Sequence, residues 1–233
     1  DSYFKEIAEG IISFTRSELS HPDGGFYASQ DADVTPDDEG GYFTWADDDF
    51  KALLTNEEYT VLAPFFLHEK AMMHHDASKR VLYIDKTPED VAKIISMDVE
   101  TVNTLIEQGK KQLLAAREKR TKPFIDTALY SSLNGMYISA FLKAYRILKD
   151  SDIKDFALKS LERILTINTD DDKVFHTPGV KGLLDDHIHL IDALVSAYEV
   201  TGDASYLTKS AQFMTRTIEL FWDEDEAGFF DTA

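Results

Sequence analysis

The sequence predicts an all-α chain, a run of antiparallel helical hairpins with short β excursions between them. Three observations carry this: apolar residues at helical spacing, turn chemistry that interrupts them, and a hairpin unit that repeats. The clearest unit runs from Asp185 to Thr232. Ile188, Ile191, Leu194, Val195 and Tyr198 mark its first helix, and Thr201-Gly202-Asp203 stops it. Asp203 or Ser205 caps the second helix, which is expected to turn Tyr206, Leu207, Phe213, Met214, Ile218 and Phe221 inward. An acidic turn carrying Gly228-Phe229-Phe230 follows. The same unit begins at Asn134: at an offset of about 53 residues, Ala144-Tyr145 falls on Ala197-Tyr198, Asp150 on Asp203, and Arg163 on Arg216. Residues 4–33 read as the second half of a third copy, a helix followed by a Gly-rich acidic turn and Phe26-Tyr27.

The other elements follow in order. Residues 3–19 form an amphipathic helix with Phe4, Ile7, Ile11, Ile12, Phe14 and Leu19 on or near one face, ended by His21-Pro22-Asp23-Gly24-Gly25. Phe26-Tyr27 and Tyr42-Phe43-Thr44 are expected to pair as short strands around a long acidic loop. Asp47–Leu54 and Glu57–Leu67 read as short helices, with Pro64 a candidate kink in the second. Val81-Leu82-Tyr83-Ile84 reads as a strand, and Thr87-Pro88-Glu89-Asp90 as a capped helix start. A long helix from Val99 to about Lys119 ends in the basic run Arg117, Lys119, Arg120 and Lys122, which complements a helix C-terminus. No Pro/Ser-rich linker divides the chain, so residues 1–233 read as a single domain.

Composition narrows the function. There are 24 basic and 43 acidic residues, a formal net charge of −19. Nucleic acid and anionic lipid both require a basic footprint, so neither is an expected partner. With no cysteine, disulfides, thiolate metal sites and cysteine nucleophiles are excluded. No stretch is long and apolar enough for a membrane span, and no signal peptide is visible; a cytoplasmic location is the expectation. The chain starts without Met and enters a helix almost at once, so it reads as a fragment of something longer.

Several stretches together resemble one family. Gly24 to Trp45 (GGFYASQDADVTPDDEGGYFTW), Lys111 to Asp126 (KQLLAAREKRTKPFID), the segment around Asn134-Gly135, GLLDDHIHLIDALVSAYEVTGD and the closing FWDEDEAGFFDT fall in the right order. They are similar to motifs of the thioredoxin-domain-containing proteins of the YyaL and spermatogenesis-associated type. The resemblance covers nearly the whole chain. It implies an incomplete (α/α)6 toroid, six-hairpin glycosidase-like and N-acylglucosamine 2-epimerase-like. It also implies an N-terminal thioredoxin-like domain in the same polypeptide, absent from this chain. Departures include Ile125-Asp126-Thr127 where the family has Asp-Asp-Lys, Leu133 where it has Trp, and His187 where it has Tyr.

In such a toroid the loops before the inner helices gather at one mouth. Glycoside hydrolysis needs two carboxylates across a pocket, and the candidates are Asp31, Asp33, Asp126, Asp185 and Asp186. An Asp before a helix also serves as a cap. Epimerisation needs a group that exchanges a proton near neutral pH, which brings in His187, with His176 in the preceding loop within reach of it. His189 lies two residues on, so on a helix it points elsewhere. A small carbohydrate is the expected ligand, and no organic cofactor is implied. Asp31 to Glu39 spaces oxygen ligands like the start of a calcium loop; Pro36 and Tyr42 occupy positions that rule out an EF-hand, which leaves a solvated acidic loop or a looser calcium site. The competing expectation is a non-catalytic binding or scaffold domain serving the thioredoxin-like domain.

Overall fold

The computed structural model describes residues 2–38 and 40–232. Nine helices lie among them: α1 Ser2–Glu18, α2 Asp47–Leu53, α3 Asn56–Phe66, α4 Pro88–Ile95, α5 Val99–Arg117, α6 Ser131–Leu148, α7 Ser151–Ile167, α8 Leu184–Thr201 and α9 Ala204–Phe221. The strands are short excursions: β1 Ser29–Gln30, β2 Thr44–Ala46, β3 Lys79–Val81, β4 Ile125–Asp126, β5 Thr169–Asp170, β6 Lys173–Thr177, β7 Val180–Lys181, β8 Trp222–Asp223 and β9 Gly228–Phe229. No described helix is long and apolar enough to cross a membrane.

Where the sequence, lacking a linker, reads as one domain, the contacts gather into two compact units. One comprises Asp1–Gln30 with Ile125–Ala233, and the other Asp31–Phe124. The chain leaves and re-enters the first unit through paired residues, Gln30 opposite Ile125 in the antiparallel β1–β4 pair. The second unit closes its own ends with a bond from the Asp31 N–H to the Phe124 carbonyl, 2.8 Å. Such an excursion returns to its starting point and needs no linker composition to mark it.

In the first unit α6 and α8 pack side by side as an inner layer, α7 packs on α6, and α9 on α8. This is the arc of an incomplete α/α-toroid. The two hairpins begin one repeat apart, and their outer helices are capped by equivalent residues. The Asp150 carboxylate accepts from the Asp152 N–H and the Asp203 carboxylate from the Ser205 N–H, each at 2.9 Å. Phe26, Ile138, Phe141, Leu142, Phe156, Leu161, Leu190, Leu194 and Phe213 form the buried centre. Gly24 and Gly25 adopt φ of +95° and +92°, a conformation open to glycine, and so bring Phe26 onto Tyr137, ring stacked on ring at 4.7 Å. Gly135 permits the close inner crossing: a methyl group there would lie 2.5 Å from the His189 carbonyl.

Some expected inward residues turn outward. In α9 only Phe213 and Phe221 of the six are fully buried; Leu207, Met214 and Ile218 are exposed. In α1, Phe4, Ile7, Ile11 and Phe14 are exposed, while Thr15 is buried. These outer helices carry two apolar stripes, and this unit uses one of them.

The second unit packs α2 to α5 around Trp45, Phe50, Val61, Leu62, Phe65, Phe66, Val102, Ile106 and Leu113. Thr87 caps α4 as expected, Asp98 caps α5, and Thr55 forms a reciprocal box with Glu58. Pro64 stays within the last turns of α3. The expected pairing of Phe26-Tyr27 with Tyr42–Thr44 is corrected: Phe26 bridges Ser20, and β2 pairs with β3 in register Thr44 to Val81. The helix that should reach Lys119 stops at Arg117, because Arg120 turns back. Its guanidinium donates to the carbonyls of Gly41, Tyr42 and Thr44 at 2.7–3.1 Å and covers the Trp45 ring at 3.9 Å. The basic run contributes a strap that holds the end of the acidic loop.

Candidate functional site

The most organised polar group of the first unit sits where α6 and α8 begin. Asp186, in the first turn of α8, is fully buried. Its carboxylate accepts from the Leu183 N–H at the start of α8 and from the Ser132 N–H at the start of α6, both at 2.9 Å. Two helix N-termini, each carrying partial positive charge, thus converge on one carboxylate. Asp186 Oδ2 is also 2.9 Å from Nδ1 of His176, with Oδ1 at 3.1 Å. His176 lies on β6, where a register shift falls between Phe175 and Thr177, and its ring stacks on Tyr130 at 4.5 Å. The His176 side chain remains 29% exposed. With Nδ1 committed to Asp186, the tautomer assigned to the neutral ring carries its proton there and leaves Nε2 as the basic position. The ring is gripped on one edge and reaches solvent, the arrangement in which an imidazole exchanges protons with a ligand.

His187 does not share this role. It is 1% exposed, meets Phe221 edge-on at 5.2 Å, and its Nδ1 lies 3.0 Å from Thr217 Oγ1. The Thr217 hydroxyl donates its own proton to the Phe213 carbonyl, 2.7 Å, so His187 Nδ1–H is the donor in the pair. Burial pushes the His187 pKa below its ordinary value; nearby Asp186 opposes this and Arg216 adds to it. It is a neutral core histidine. The expected approach of His176 to His187 is corrected: the partner of His176 is Asp186.

The other candidates are dispersed. Asp126, half-buried on β4, accepts from the Ala128 N–H at 2.9 Å, the cap-like turn open to any such Asp. Asp185 is exposed. Asp31 and Asp33 belong to the second unit and are exposed, with Asp33 accepting from the Gly40 N–H at 2.7 Å. An open hollow of about 360 Å³ is lined by residues 31–36. Glu39, the last ligand of the calcium expectation, lies outside the described residues. Among those described, no group of three or more His, Asp or Glu is placed to hold a metal ion.

Sequence reasoning passed over the polar spine that supports this end of the unit. Asn134, fully buried, accepts from the Phe26 N–H at 2.7 Å and donates to the carbonyls of Phe26 and Tyr130 at 3.0 and 2.9 Å. Ser131 donates to the Phe175 carbonyl at 2.6 Å, and Asn168 donates to the Leu129 carbonyl at 2.7 Å and to Ser131 Oγ at 3.0 Å. The available signal was a run of polar residues at positions where the inner-helix periodicity calls for apolar ones.

No family model matches the chain. Among curated proteins, human spermatogenesis-associated protein 20 is 24% identical over 268 residues, covering 99% of this chain. Over nearly its whole length the chain is similar to spermatogenesis-associated protein 20. The mouse spermatogenesis-associated protein 20 gives the same 24% over the same coverage, and an uncharacterised Caenorhabditis elegans protein is 26% identical over 97% of the chain. The chain spans about a third of the length of these relatives, 34% of the human protein. Among solved structures, an α-1,6-mannanase variant from Salegentibacter is similar over 97% of this chain and 54% of that one, with 12% identity and a TM-score of 0.42. The unsaturated glucuronyl hydrolase of Bacillus sp. GL1 covers 99% and 60% at 11% identity and 0.43, and a cellobiose 2-epimerase from Bacillus thermoamylovorans covers 96% and 59% at 10% identity and 0.43.

Proposed function

We propose that this chain is the ligand-facing arc of a carbohydrate-active α/α-toroid, with His176 as its working group and Asp186 as the residue that positions it. The observation that carries the reading is the grip of a fully buried carboxylate on a part-exposed imidazole at the N-terminal ends of both inner helices. An imidazole so held hydrogen-bonds a sugar hydroxyl or takes a proton from carbon beside a carbonyl, the step epimerisation requires. Asp126 is the candidate second carboxylate of the same unit.

A specific observation favours a second reading, a non-catalytic scaffold serving a thioredoxin-like domain in the longer polypeptide. Gly24, Gly25, Asn134, Gly135 and Asp186 all have structural duties, so retention of those motifs requires no substrate. The test is a thermal-shift and ligand-observed NMR screen of neutral, amino and acidic sugars on the parent chain, His176→Ala and Asp126→Asn. The enzyme-like reading expects at least one sugar to bind the parent and to be lost in His176→Ala. A sugar bound equally by His176→Ala, or none bound by the parent, supports the scaffold.

A further inference from the structure

The second unit contains a cavity that neither reading uses. It has a volume of about 230 Å³ and lies between α5, the end of α3 and the β2–β3 pair. Trp45, Phe66, Leu82, Leu113 and Leu114 give it apolar walls, and Lys110 and Arg117 complete the lining. On α5, Lys110, Leu114 and Arg117 stand at i, i+4 and i+7, so the apolar wall is bracketed by cations along one helix face. Arg117 brings a second, independent observation: its Nε is buried and has no hydrogen-bond partner. A guanidinium N–H left without an acceptor is costly, and Arg117 gains one when its side chain turns onto an anionic oxygen in the cavity. Lys110 is already paired with Glu107 at 2.9 Å, so Arg117 is the cation that gives this pocket its sign in a chain of net charge −19.

We propose that this cavity binds a small apolar carboxylic acid, its chain against Trp45, Phe66 and Leu113 and its carboxylate on Arg117, with Lys110 alongside. Taking a water's share of liquid volume as about 30 Å³, the space equals about eight waters, which selects a short acyl or small aromatic acid over a long-chain lipid. The indole of Trp45 is part of the wall, so occupancy is read directly from its fluorescence.

The experiment uses the 233-residue chain carrying Trp222→Phe, which leaves Trp45 as the one indole, and titrates it with octanoate, 1-octanol and n-octylammonium. Octanoate is expected to change Trp45 emission saturably, and to bind about tenfold or more tighter than octanol or the ammonium, a difference of one charge-assisted contact. Arg117→Gln is expected to bring octanoate down to the level of octanol while leaving octanol unchanged. Equal binding of octanoate and octanol by the parent would overturn the proposal and point to an apolar protein segment as the occupant. Absence of saturable binding by octanoate would overturn it outright. The ligand comparison is made with Arg117 and Lys110 in place, so it decides the matter even if Arg117→Gln fails to fold.

Discussion

The hairpins α6–α7 and α8–α9 are the same unit written twice, and they differ where their inner helices begin. In the first hairpin the equivalent of His187 is Asn134, which ties α6 to Phe26 and Tyr130 through three hydrogen bonds. In the second, His187 turns into the core and bonds a single hydroxyl, Thr217. The first turn of α6 carries no carboxylate of its own. It borrows Asp186 from the second, through the Ser132 N–H. The repeat therefore preserves the apolar skeleton and the outer caps, while the polar chemistry at the helix starts is divided unequally between copies. The second hairpin carries the group with access to a ligand, and the first supplies the surface against which it is fixed.

The largest expected effect comes from breaking the shared carboxylate. Asp186→Ala leaves two helix N-termini and His176 without an acceptor and is expected to cost about 3–5 kcal/mol, read by urea unfolding. Asp186→Asn retains one acceptor oxygen and should lose less. Asn134→Ala strands the buried Phe26 amide and carbonyl and is expected to cost about 2–4 kcal/mol by the same measurement. Gly135→Ala drives a methyl group into the His189 carbonyl and is expected to cost about 1–3 kcal/mol by forcing the inner helices apart. The equivalent change in the second copy, Ile188→Ala, removes a part-exposed side chain and should be nearly silent. A Gly135→Ala protein as stable as the parent would show that the inner crossing is looser than described.

The smallest effect is a pH dependence. The His187 pKa is lowered in the folded chain from an ordinary 6.5, chiefly by burial. The unfolded chain therefore binds a proton more readily, and stability falls with acidity. His187 contributes fully above about pH 6.5, and that contribution is lost as pH falls from there through the depressed folded value. His187→Gln should flatten that part of the stability curve, measured by unfolding at matched ionic strength. An unchanged slope would mean that His187 is solvated.

The hairpin order was legible because it rests on signals local in sequence: periodic apolar residues, Asp150 and Asp203 as caps, and the turn at Gly202. Which of two apolar stripes an outer helix buries was not, since Ile218 and Phe213 are both strongly hydrophobic and differ in what packs against them. The strand pairings were misjudged for the same reason, because β1 finds β4 across a long excursion that no local pattern announces. At the candidate site Asp186 was legible as an acid before a helix, but its partner was not. His176 stands ten residues earlier, and only the fold of β6 against α6 and α8 selects it over His187.

The most direct measurement is the imidazole ¹⁵N–¹H spectrum of His176, recorded across pH and then with the sugar panel. An Nδ1–H held by Asp186 is expected, with Nε2 shifting when a sugar binds and the Nδ1 preference lost in Asp186→Asn. A ring protonated at Nε2, or one indifferent both to Asp186→Asn and to every sugar, would contradict the role given to His176 and leave the scaffold as the function of this chain.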